Sequence, residues 1–151
     1  MSGSDAPEYR PFGYVEDHPV VRRVSDGLFL GNVHAASPDE HDRSFEYVLS
    51  ATADPQPLTT HHRPLVDGDD VTWSRFEAAA ETARDLYGDG SLLVHCEAGV
   101  SRSSTLVATA LAAEDGIPLR GGIEAVQAAR PMAQPHPALH EMAVVYLAAQ
   151  G

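Results

Sequence analysis

The run Leu92-Leu93-Val94-His95-Cys96-Glu97-Ala98-Gly99-Val100-Ser101-Arg102-Ser103-Ser104 changes character twice. It opens as a short apolar segment of the kind found in a central strand, passes through a small-residue loop, and continues into a helix rich in Ala, Ser and Thr. A loop between a strand end and a helix N-terminus aims several backbone N–H groups into one concavity, and the helix dipole adds partial positive charge there. Residues Glu97, Ala98, Gly99, Val100 and Ser101 would line such a dianion site, with Gly99 supplying a backbone angle that other residues resist. Cys96 stands at its mouth, where a helix N-terminus and a guanidinium favour the thiolate. Arg102, across the loop, carries a planar fork that can hold two oxygens of a tetrahedral phosphoryl group. Ser103 could donate its hydroxyl to the sulfur. A lone cysteine after an apolar run is by itself most often a buried structural thiol, but the whole string is hard to obtain by chance. It is not a Walker loop, because no Gly-Lys-Ser/Thr is present.

Outward from this run the chain alternates strands and helices. Val20–Val24 and Leu28–Leu30 flank a Ser25-Asp26-Gly27 turn, and Tyr47–Ala51 is a buried strand. His62–Val66 is a weaker strand candidate. Ser37-Pro38-Asp39-Glu40 has the pattern of a helix start. Trp73, Phe76, Ala80, Ala83 and Tyr87 share one face of a helix from about Asp70 to Tyr87, so Trp73 and Phe76 are expected in the core. Further helices are expected over Ser103–Asp115, closed by Gly116, then Leu119–Arg130 and Ala138–Gln150, with Pro131, Pro135 and Pro137 between the last two. This order predicts an α/β fold. Residues 1–17 lack periodicity and read as a flexible N-terminal tail, leaving 18–151 as a single domain.

The chain has 151 residues, with ten basic against 22 acidic residues and a formal charge of −12; all ten basic residues are Arg. So negative a chain is expected to bind neither nucleic acid nor an anionic membrane. With one cysteine, an internal disulfide is impossible. No signal-like or spanning segment is evident, which predicts a cytoplasmic protein, with a monomer favoured. His61 and His62 point to opposite sides of a strand, and His136 and His140 lack a third ligand. No metal or other cofactor is therefore expected.

His95-Cys96-x-x-Gly99-x-x-Arg102-Ser103 resembles the signature loop of the cysteine-based protein tyrosine phosphatase superfamily, in the form typical of its dual-specificity branch. Leu28-Phe29-Leu30-Gly31-Asn32, Tyr47-Val48-Leu49, Pro64-Leu65-Val66-Asp67, Arg130-Pro131 and Pro135-His136-Pro137 resemble further segments of that branch, so the likeness runs from about Val20 to Leu147. It implies a central mixed, mostly parallel sheet flanked by helices, and hydrolysis of phosphotyrosine and of phosphoserine or phosphothreonine in proteins through a phospho-cysteine on Cys96. Such chemistry needs a carboxylic acid to protonate the leaving oxygen. Asp67, Asp69 and Asp70 are the candidates, and the resemblance gives the role to Asp67. Asp70 and Thr72 also suit the start of the following helix, and Asp69 suits a solvated turn. Related phosphoinositide phosphatases tend to carry Lys in the loop; Glu97 and Val100 here disfavour lipid and RNA polyphosphate substrates. A small phosphorylated metabolite is the alternative substrate, and a phospho-binding module without turnover the alternative function.

An acidic, lysine-free composition fits either a halophilic, high-salt cytoplasm or a GC-rich genome, and salt adaptation is the favoured expectation. Screening shortens from about 10 Å at 0.1 M salt to about 3 Å at 1 M, which relieves repulsion among surface carboxylates. The melting temperature is accordingly expected to rise from about 0.1 M to about 3 M KCl. A flat or falling melting temperature over that range would refute salt adaptation.

Overall fold

The computed structural model describes residues 15–38, 44–66 and 68–150. Among them, five strands form one sheet in the order β1-β2-β5-β3-β4: β1 Val21–Ser25, β2 Leu28–Gly31, β3 Tyr47–Ser50, β4 His61–His62 and β5 Leu92–His95. β1 and β2 form the expected antiparallel hairpin, turning at Gly27 with φ 74°, and the other three pairings are parallel. The apolar run Leu92–His95 is thus the central strand, buried along its whole length.

Strand periodicity divides the apolar residues between the two faces. Leu28, Leu30, Leu49, Leu92 and Val94 join the main core, together with residues of all four α-helices: α1 Trp73–Leu86, α2 Arg102–Asp115, α3 Leu119–Ala129 and α4 Pro137–Gln150. Val48 and Leu93 turn the other way, against Ala35 and Ala36 of a short 3-10 helix, Val33–Ala36, with Phe29, Phe45 and Leu58 around them. α2 is the middle helix, and every residue from Ser103 to Ala112 is buried. Small side chains allow that close approach: a Cβ on Gly122 of α3 would lie 2.5 Å from the Ala108 carbonyl oxygen. The buried hydroxyls of Thr105 and Thr109 donate to the carbonyls four residues back, both at 2.7 Å.

Several elements differ from expectation. Ser37 closes the 3-10 helix, and of the helix start expected at Ser37-Pro38-Asp39-Glu40, Asp39 and Glu40 lie outside the described residues. β4 is His61–His62, not His62–Val66; Pro64 has no N–H to extend the ladder. α1 begins at Trp73, because the Thr72 hydroxyl accepts from the Arg75 N–H at 3.4 Å and fixes the cap there. Phe76 is fully buried, but Trp73, on the first turn, is 37% exposed. Glu16, in the stretch read as tail, is buried. No described helix is long and apolar enough to cross a membrane.

Candidate active site

β5 delivers Cys96 at its carboxyl end and α2 starts at Arg102, so the intervening loop must reverse within a few residues. Gly99 permits this with φ 70°, in the left-handed region, and a Cβ there would lie 2.9 Å from the Gly31 carbonyl oxygen. The loop carbonyls are all tied to surrounding protein. Glu97 O accepts from the Val33 N–H at 2.9 Å and Val100 O from the Gln134 N–H at 2.8 Å. Ala98 O and Gly99 O accept from the Arg130 guanidinium at 2.8 and 2.9 Å. Ser101 O accepts from the Thr105 N–H at 2.9 Å, and the Ser101 hydroxyl accepts from the His136 N–H at 2.8 Å. In a planar trans peptide the N–H points opposite to the C=O. Four of these carbonyls are held by donors outside the loop and the fifth by α2, which leaves the N–H groups of residues 98–102 on the opposite edges of their peptides. No side chain caps the N-terminus of α2, so its first amides face the same way.

Cys96 is 2% exposed, and its Sγ lies 3.1 Å from the Ser103 Oγ. Arg102 is half-buried. Its Nη1 donates to the Leu65 carbonyl at 3.4 Å, while its Nε is buried without a hydrogen-bond partner. A buried guanidinium N–H without an acceptor is costly, and an oxyanion is the acceptor its planar fork matches. Ala98, Gly99 and Ser101 are buried, Val100 is half-buried, and the Glu97 side chain is exposed. Asp67, expected as the general acid, lies outside the described residues; Leu65, two positions before it, is the residue that Arg102 touches. Asp69 and Asp70 are both exposed.

His95 is fully buried behind the loop. The Gln56 N–H donates to the Thr59 hydroxyl at 2.8 Å, the Thr59 and Ser50 hydroxyls are 2.7 Å apart, and Ser50 Oγ is 2.5 Å from His95 Nε2. His95 Nδ1 faces the Cys96 carbonyl at 3.4 Å. A backbone amide can only donate and a carbonyl can only accept. The chain therefore runs one way: Thr59 donates to Ser50, Ser50 to Nε2, and Nδ1–H to Cys96 O. Burial holds His95 well below the ordinary histidine range, at about 4; the Cys96 backbone opposes this, while the charge of Arg102 and the His62 ring add to it. A neutral ring with a defined tautomer thus sits beside Cys96.

The residues that sequence reasoning missed lie on the outer side of the loop. Arg130 stands in a matched Arg-Pro pair, but its role as a partner of Ala98 and Gly99 was not visible, nor was its pairing with Glu16 at 3.1 Å. The available signal was a single Arg ending an apolar helix directly before Pro131.

No family model matches the chain. It is 33% identical over 126 residues to human dual specificity protein phosphatase 15, covering 78% of this chain and 43% of that protein. The crystal structure of DUSP15 superposes with a TM-score of 0.71 at 30% identity, over 86% of this chain and 89% of that one. A mouse protein assigned to the dual specificity phosphatases and solved with zinc tungstate superposes with a TM-score of 0.74 at 25% identity, over 92% of this chain and 94% of that one. The chain belongs to the dual-specificity branch of the cysteine-based protein tyrosine phosphatases. It spans about half the length of the curated relatives it matches.

The burial of His95 has a measurable consequence. Between its ordinary value of 6.5 and about 4, the unfolded chain holds a proton that the folded chain does not. Stability is then fully present above pH 6.5 and falls as pH drops towards 4, by about 3 kcal/mol in total. Denaturant unfolding at stepped pH should show the parent losing that much more stability than His95→Asn across the window. Equal slopes for the two proteins would exclude it.

Proposed function

We propose that this chain is a protein phosphatase acting on phosphotyrosine, and on phosphoserine or phosphothreonine, through a phospho-cysteine intermediate. The observation that carries the reading is the buried, unpartnered Arg102 Nε beside a loop whose carbonyls are all held from outside. The family and a relative solved with tungstate, a phosphate-shaped dianion, support it.

In this mechanism the loop amides and Arg102 hold three phosphoryl oxygens, and the Cys96 thiolate attacks phosphorus. The S–P bond forms as the P–O bond to the substrate breaks, and the departing oxygen takes the proton of the Asp67 carboxyl. Asp67, now a carboxylate, accepts a proton from the water that attacks the phospho-cysteine. The S–P bond breaks, inorganic phosphate leaves, and the Ser103 hydroxyl donates to the returning thiolate. No cofactor enters either step. The charge of −12 and the exposed Glu97 at the loop speak for phosphorylated proteins over nucleic acid or polyphosphorylated lipid. From its acidic, lysine-free composition we further propose a cytoplasmic monomer adapted to high salt.

The test is turnover on a panel of phosphotyrosine, phosphothreonine, phosphoinositide and sugar-phosphate substrates. Phosphopeptides should be preferred; a preference for sugar phosphates would move the assignment to a metabolite phosphatase. Cys96→Ser should abolish turnover and keep tungstate binding, whereas residual activity within about tenfold of the parent would overturn the thiol mechanism. Asp67→Asn should slow alkyl phosphates far more than aryl phosphates with good leaving groups. The same pattern in Asp69→Asn or Asp70→Asn instead would reassign the acid.

A further inference from the structure

Two guanidinium groups meet the loop from opposite sides. Arg102 faces the concavity, and Arg130 lies behind it, 3% exposed. Two of the three Arg130 guanidinium nitrogens are committed here: Nε donates to Gly99 O at 2.9 Å, and Nη2 donates to Ala98 O at 2.8 Å and to both Glu16 carboxylate oxygens at 3.1 and 3.2 Å. Pro131 stops α3 at this point, and Arg130 takes the extended conformation that turns its side chain away from the helix course.

Glu16 is itself held in place by its neighbours. Asn32, fully buried just after β2, accepts from the Val20 N–H at 3.0 Å and donates to His18 O at 2.9 Å. The Asn32 N–H donates to Val20 O at 3.2 Å. The segment from Glu16 to Val20 is therefore strapped to the end of β2, and its carboxylate reaches the back of the loop. A buried carboxylate or a buried guanidinium alone is expensive, so each requires the other. Two loop carbonyls also depend on one side chain for their partner.

We propose that Arg130, held by Glu16, is a positioning residue that sets the loop amides for oxyanion binding, so that the N-terminal segment is part of the active site's support. The inference rests on the reading of residues 96–102 as an oxyanion cradle. Without the Arg130 fork, Ala98 O and Gly99 O lose their donors. Their peptide planes are then free to rotate, and the amides of Gly99 and Val100 turn with them. Lys cannot replace Arg here, because a single ammonium cannot span two carbonyls and a carboxylate in one plane.

The experiment measures tungstate affinity by calorimetry, with the melting temperature and with kcat and KM on an aryl phosphate, for the full chain and its variants. Arg130→Met and Arg130→Lys should each weaken tungstate binding by about tenfold or more, and Glu16→Gln by about threefold, with Lys giving no rescue. Arg120→Ala, at a surface position on α3, should match the parent. Folded Arg130 variants that bind tungstate within about twofold of the parent, however far their melting temperature falls, would overturn the proposal and leave Arg130 a purely structural residue. Should Arg130→Met not fold, Arg130→Lys and Glu16→Gln decide by the same criterion. A parent that binds tungstate but hydrolyses nothing on the substrate panel would refute the proposed function, with the clamp still judged on tungstate. A parent that binds no tungstate would refute both.

Discussion

A loop can present its amides to an anion only if its carbonyls are satisfied somewhere else, and the rest of this molecule is arranged around that constraint. Each loop peptide is planar, so every inward N–H carries an outward C=O. A carbonyl that is buried without a donor is unfavourable by about 1–3 kcal/mol. The donors come from three separate places: the residues after β2, the start of α2, and the Arg130–His136 turn between α3 and α4. Four helices on one face of the sheet bring those places together. The close α2–α3 contact at Gly122 and Ala108 sets the course of α3, and Pro131 sets where it ends, and hence where Arg130 stands.

The same constraint accounts for the chemistry at the mouth. Cys96 follows the central strand, whose position is fixed by parallel neighbours on both sides, with Gly31 opposite His95 on one and Ser50 opposite it on the other. The Ser50 side chain lies beside the His95 ring because of that register. Burial then keeps the ring neutral, so the cations supplied to the site are Arg102 on the inside and Arg130 on the outside. Of these, Arg130 is neutralised by Glu16 and Arg102 retains a free N–H. The positive potential is thus concentrated where a phosphoryl group would sit.

How much of this was legible in the sequence depends on the range of the interaction. The strand-loop-helix reading of Leu92–Ser104, the turn at Gly27 and the end of α2 at Gly116 are local signals, and each element formed where its residues indicated. Helix ends were less secure: Asp70 and Thr72 both suited the start of α1, and the hydroxyl cap at Thr72 prevailed. Trp73 was read into the core from periodicity alone, which cannot tell that the first turn of a helix stands at the rim of the domain. The 3-10 helix at Val33–Ala36 has too few residues to show a period. Arg130 and Glu16 are 114 positions apart, and Ser50 and His95 are 45 apart. No spacing rule links such pairs; only the folded chain brings them together.

An acidic protein that binds dianions needs a division of labour by distance. The charge of −12 acts over the whole surface, but at moderate salt it is screened beyond about 8–10 Å. Amide dipoles and one half-buried guanidinium act at hydrogen-bond distance, where screening is weak. Contact attraction therefore survives in salt that removes the long-range repulsion. An anion site made mainly of backbone and one Arg is less sensitive to salt than a basic patch, because its strength comes from short-range geometry. That geometry is what the carbonyl partners behind the loop maintain. The buried Glu16 is consistent with this: its negative charge is paired with Arg130 behind the loop.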